Sequence, residues 1–192
     1  MQNCGKPLLP TALKAEFGNM NHIITEYPQF FTATNLNWER ILLRNKYKDI
    51  IIDSLRFLVR SKRIFVYAFV IMDNHIHLIW QMRAGISPKN VQRDFLRHTA
   101  KLIILDLQKN YPEDLTRFLV KATDRRYQVW ERNPLSIELR SEKVLWQKLC
   151  YIHSNPVRAG LCKYQEQYKY SSAQFYETGE DNWGFLTHFR GW

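Results

Sequence analysis

Residues 64–81 constrain the fold more than any other stretch of this chain. Ile64 to Ile71 is a nearly unbroken run of β-branched and aromatic residues, the pattern of a strand buried on both faces. Asp73-Asn74 follows as a turn, and the chain resumes as His75-Ile76-His77-Leu78-Ile79-Trp80, continuing to about Gln81. Residues i and i+2 share a face of a strand, so His75 and His77 stand side by side while Ile76 and Leu78 face a core. Two neutral imidazoles on a rigid strand form a cradle for a divalent cation, and a cation with an open position polarises a phosphodiester. The plainer alternative is a pair of histidines at a solvent edge with no ligand.

Elements on either side of this hairpin fill out the order. Gln29 to Thr34 reads as a first strand, ended by Asn35 and Asn37. From about Trp38 to Arg60, Tyr47, Ile51, Leu55 and Leu58 recur at helical spacing, with Arg40, Arg44, Lys48 and Arg56 at solvent positions. Ser87 and Pro88 supply the cap and first position of a second helix reaching about Lys109, with a core stripe of Val91, Phe95, His98, Leu102 and Leu105. This stripe makes His98 a core histidine. Tyr127–Trp130 and Leu135–Leu139 read as short strands, and Ser141 caps a helix to about Asn155, stopped soon after by Pro156. The order is satisfied most simply by an α+β domain with helices packed on one face of an antiparallel sheet.

The chain carries 28 Lys and Arg against 18 Asp and Glu, a net charge of +10, which points to a polyanionic partner with nucleic acid foremost. The charge also clusters. Lys89, Arg93, Arg97 and Lys101 repeat every four residues along one side of the second helix, a mutually repelling stripe that suits a row of phosphates. Three cysteines without C-x-x-C spacing argue against a disulfide framework and a zinc knuckle. No apolar run is long enough for a membrane span, and Lys6, Pro7 and Pro10 interrupt any signal-peptide core, so the expected location is cytoplasmic and no membrane partner is expected.

On the last helix Tyr151 and Asn155 lie four apart and share a face, while His153 is turned by about 200° to the far side. A phenol is a poor nucleophile at neutral pH unless the phosphorus it attacks is made more electrophilic. A cation on His75 and His77 would do that. The Asn155 amide oxygen could complete the ligand set one turn from Tyr151. The chain has ten tyrosines, most of them expected to serve in packing.

Several separated segments resemble one family. Met72-Asp73-Asn74-His75-Ile76-His77-Leu78 resembles the His-hydrophobic-His motif of single-tyrosine transposases of the HUH endonuclease superfamily, especially the REP-associated tyrosine transposase branch. Tyr151-Ile152-His153-Ser154-Asn155-Pro156-Val157-Arg158-Ala159-Gly160-Leu161, with Tyr168-Lys169-Tyr170-Ser171-Ser172-Ala173, is similar to that branch's tyrosine-helix signature. Arg93 to Thr99 resembles its basic helix. Asp73 stands where the family usually has Pro, and Ser154 where it often has Asn.

The resemblance implies a ferredoxin-like α+β domain over residues 27–175, with a loose segment at 1–26 and a tail of unassigned role at 176–192. It implies binding of single-stranded or hairpin DNA, a divalent metal (Mg²⁺ or Mn²⁺) and a possible homodimer. It also implies a bacterial setting, with nucleoid association when DNA is bound. By position, Tyr151 matches the nucleophile that forms a 5′-phosphotyrosine link, His75 and His77 the metal ligands, and Asn155 the third ligand. Two rivals stay open: a domesticated nucleic-acid binder that does not cut, and a metal-dependent phosphodiesterase that uses water.

Overall fold

The computed structural model describes residues 27–191, and the loose segment expected at 1–26 lies outside them, as does Trp192. Four strands, β1 (Gln29–Thr34), β2 (Ile64–Ile71), β3 (His75–Met82) and β4 (Leu135–Glu138), form one antiparallel sheet in the order β2-β3-β1-β4. Helix α1 (Asn45–Arg60) connects β1 to β2, and α2 (Pro88–Asn110) with the short α3 (Pro112–Leu115) lies between β3 and β4. Then come α4 (Glu142–Arg158) and α5 (Ala173–Thr178). The β-α-β-β-α-β order with β1 and β3 central is the ferredoxin-like form of the expected α+β domain, the form that the resemblance implies.

Sheet alternation divides the core in two. Ile76, Leu78 and Trp80 of β3 meet Ile51 and Leu55 of α1 and Val91, Phe95 and Ile103 of α2 on one face. Phe30, Ala68, Val70 and Ile79 meet Leu145, Leu149 and Ile152 of α4 on the other. The helix layer expected on one face is thus α1 with α2, and α4 adds a second layer against the histidine face. Residues beyond 170 run along β2. Ser171 bridges Val70, Leu186 bridges Val66, and the Thr187 amide donates to the Val66 carbonyl at 2.9 Å, which covers that sheet edge.

Several elements differ from the sequence reading. The helix expected from Trp38 starts at Asn45, because Asn37 and Trp38 take left-handed backbone (φ 52° and 59°) and the chain makes two 3₁₀ turns first. Lys48, expected at solvent, is buried, with its charge on Asp73 and its ammonium also donating to the Tyr168 hydroxyl. The α2 stripe is Val91, Phe95, Thr99, Ile103 and Leu107; His98, Leu102 and Leu105 are exposed. Thr99 can be buried because its hydroxyl donates to the Phe95 carbonyl and accepts from Trp130 Nε1 at 3.0 Å. Tyr127–Trp130 makes only isolated bridges to Leu119 and Asn35, so it is no strand. Ser141 caps α4 through Val144 N as expected, but the helix continues through Pro156 to Arg158. Among the described residues no helix is long and apolar enough to cross a membrane.

Candidate active site

The turn at the start of β3 is built to aim the histidines. Met72 N donates to the His75 carbonyl at 2.9 Å, and the Asp73 and Asn74 carbonyls accept from Leu42 N and Asn35 N. Asp73 itself is buried between Arg40 (2.7 Å) and Lys48 (3.1 Å). Burial pushes its carboxyl up, yet the hydrogen bonds and charges of Arg40 and Lys48 outweigh this and hold it below the usual carboxylate range. The turn is thus anchored by a charge cluster.

His75 and His77 lie with ring centroids 4.8 Å apart. Each is tied through Nδ1. Asn74 Oδ1 lies 2.7 Å from His75 Nδ1, and since an amide oxygen can only accept, Nδ1 carries the proton and Nε2 keeps its lone pair. Thr32 Oγ1 lies 2.7 Å from His77 Nδ1, as the Thr32↔His77 register of β1 with β3 dictates. Burial holds both imidazoles below their ordinary pKa, and His77 is lowered further by His75 and Lys148, to about 3. Neutral rings with the outer nitrogen anchored are the form that ligates metals, so this pair fits a divalent cation on chemical grounds. Among the described residues no group of three or more His, Cys, Asp and Glu gathers for a metal.

Tyr151 arrives from the second layer. Leu145, Leu149 and Ile152 bury one side of α4, which leaves Tyr151 at the margin with its ring 5.3 Å from His77 and 6.0 Å from Phe30. Phe30 in turn stacks on His77 at 5.4 Å. His153 points the other way, as its spacing requires, and is buried with Nε2 2.8 Å from Ser172 Oγ. Asn155, one turn beyond Tyr151, donates its side-chain amide to the Tyr151 carbonyl at 2.8 Å rather than bonding to a histidine. The structure therefore unites His75, His77 and Tyr151, with Asn155 adjacent on the same helix. Lys89, Arg93, Arg97 and Lys101 are exposed but lie across the sheet, because α2 packs on the Trp80 face through Phe95. Arg93 and Arg97 pair with Asp94.

Four residues that the sequence reading passed over complete the surroundings. Thr32 and Asn74 orient the imidazoles. Lys148, three before Tyr151, sets its ammonium 4.6 Å from the Phe30 ring and 5.7 Å from the Tyr151 ring. Trp38 is 62% exposed and its ring lies 6.1 Å from His75. The Asn74 amide reaches the Trp38 carbonyl at 3.4 Å, and Trp38 rims a cavity of about 580 Å³ with Arg40, Arg44, Asp114 and Arg117. Helical spacing from Tyr151 could have flagged Lys148; nothing in the periodicity marks Trp38.

Matched against protein-family models the chain fits none, and no curated protein matches it. Among solved structures, a REP-associated tyrosine transposase bound to a REP hairpin superposes with a TM-score of 0.61 at 19% identity, covering 86% of this chain and 90% of that one. A candidate transposase from Deinococcus radiodurans R1 aligns at a TM-score of 0.43 and 15% identity, over 73% and 95%. These neighbours are transposases, and in its fold this chain resembles a single-tyrosine transposase.

Proposed function

We propose that this chain is a metal-dependent single-stranded DNA endonuclease and strand transferase, with Tyr151 as nucleophile and hairpin-forming DNA as substrate. The observation that carries this reading is the run of ring contacts from His75 to His77 and from His77 to Tyr151, which joins two strand positions to a helix about 75 residues away. His75 and His77 would hold the cation, with Asn155 turning its amide oxygen toward it. When bound, the ion supplies the positive charge that makes the phosphorus electrophilic.

The chain's own groups do the rest. The Tyr151 oxygen forms a bond to phosphorus and its phenolic proton leaves to solvent, while the bond from phosphorus to the 3′ oxygen breaks and that oxygen takes up a proton from solvent. The products are a 5′-phosphotyrosine and a free 3′-hydroxyl. Because the ester conserves the bond energy, a 3′-hydroxyl can reverse the step at the same site. Tyr151 is 38% exposed, so a strand laid across the histidine pair can reach it. Trp38 offers an exposed indole for an unpaired base next to the scissile phosphate. The α2 stripe, across the sheet, serves flanking phosphates rather than the bond that is cut. On this reading the catalytic domain spans 27–175, and 176–191 brace the β2 edge.

The test is a denaturing gel of protein with end-labelled hairpin DNA carrying single-stranded flanks, with Mn²⁺, with Mg²⁺ or with chelator. Label bound covalently to protein, dependent on metal and absent in Tyr151→Phe, is the expected result. DNA binding with no adduct on any flank would instead indicate a non-cutting binder. Cleavage that survives in Tyr151→Phe would make water the nucleophile.

A further inference from the structure

Lys148 sits where the proposed reaction builds negative charge. It shares a helix face with Tyr151 and Asn155, at spacings of three and seven residues, and it is half-buried. Its ammonium lies over the Phe30 and Tyr151 rings, the same two rings that pack around His77. Among the described residues it has no carboxylate partner and makes no side-chain hydrogen bond. Arg40 and Lys48 are paired with Asp73, and Arg140 with Glu138. The surrounding imidazoles are held neutral by burial and offset nothing. The site therefore holds a positive charge over an aromatic floor, with no carboxylate paired to it among the described residues.

We infer that Lys148 is a catalytic residue that grips a non-bridging oxygen of the scissile phosphate and stabilises the charge that grows there as the Tyr151 oxygen attacks. The inference rests on the strand-transfer reading and adds a group to it. A phosphodiester carries one negative charge, and the five-coordinate transition state concentrates more on its non-bridging oxygens. A cation held at that point binds the transition state more tightly than the substrate, so its effect falls on rate rather than on affinity. Aromatic floors suit this role. They hold an ammonium through cation–π attraction without neutralising it, leaving its N–H groups for the phosphate. Lysine's flexible point charge can follow the oxygen as it moves, and arginine at the same place would keep the charge.

Single-turnover adduct formation by wild type, Lys148→Met and Lys148→Arg, with hairpin DNA affinity measured in chelator, tests the inference. Methionine keeps the stem and the helix propensity, so the thermal midpoint reports whether the fold is intact. The expected result is an adduct rate reduced by about 10²–10³ in Lys148→Met, as for loss of one oxyanion donor. DNA affinity should change by less than about tenfold, the share of one phosphate contact among several, and Lys148→Arg should recover most of the rate. An unchanged rate in a folded Lys148→Met, while wild type forms adduct, overturns the inference and leaves the strand-transfer reading standing. Equal loss of affinity and rate, unrelieved by arginine, assigns Lys148 to ground-state binding and overturns it too. Absence of adduct in wild type under all metals and flanks overturns both.

Discussion

Asp73→Asn and Lys48→Met, made singly and together, probe the charge cluster beneath the histidine turn. The Lys48 and Asp73 side chains are 6% and 11% exposed and meet at 3.1 Å. Removing one member of a buried pair leaves the other charged and unpartnered, which costs about 3–5 kcal/mol. Arg40 is 62% exposed and can return to water, so its loss adds at most about 1 kcal/mol. Lys48 keeps the Tyr168 hydroxyl at 3.0 Å, which places Asp73→Asn near the lower end, about 3 kcal/mol. Lys48→Met strands Asp73 with Arg40 still at hand and should cost about 2–3 kcal/mol. The double variant removes both charges and should lose less than either single one, about 1 kcal/mol, for a coupling of several kcal/mol. Urea unfolding of the metal-free proteins at neutral pH measures all four corners of the cycle. Additive losses would refute the reasoning, because the pair would then be two independent surface groups.

Other outcomes follow from the same geometry. Asn74→Ala frees the His75 ring and should weaken metal-dependent adduct formation and Mn²⁺ affinity by about 10–100-fold, whereas Asn74→Asp, which still accepts from Nδ1, should lose less. Trp38→Ala should weaken binding of unpaired flanks by about 1–3 kcal/mol while sparing a blunt duplex, read by fluorescence anisotropy with both DNAs. Burial holds the His153 imidazole neutral, lowering it to about 3. A depressed folded pKa means stability is complete above about 6.5 and is lost as pH falls toward 3, at up to ~1.4 kcal/mol per pH unit. His75 and His77 are lowered as well and add in the same direction. Urea midpoints from pH 7.5 to 4.5 check this, and a flat profile would contradict it.

The hairpin was readable because its signal is local: two strand-forming runs, a turn and a pair of histidines at period two. Tyr151 opposite His153 was equally readable from helical spacing. What escaped depends on distant partners. Lys48 is buried because Asp73 and Tyr168, 25 and 120 residues on, receive its ammonium, and a helical wheel sees only a lysine. Thr99 displaced His98 in the α2 stripe because Trp130 satisfies its hydroxyl. The late start of α1 reflects two left-handed residues, Asn37 and Trp38, neither of them glycine. Left-handed backbone costs such residues about 1–2 kcal/mol each, and tertiary contacts must offset it. One of them is Asn37 N donating to Glu131 Oε1 at 2.7 Å.

The pairing of Thr32 with His77 and Thr34 with His75 has a bearing on how this chain can change over generations. Insertion or deletion of one residue within β1 would turn Thr32 and Phe30 to the opposite face and present Phe31 and Ala33 to the imidazoles. Point changes in β1 can be graded, but a change of length there cannot. The connection between α3 and β4, residues 116–134, carries no such register with the histidines. Chains descended from a common ancestor with this one and keeping its chemistry should vary in length across that connection and hold residues 29–34 and 75–82 at constant length.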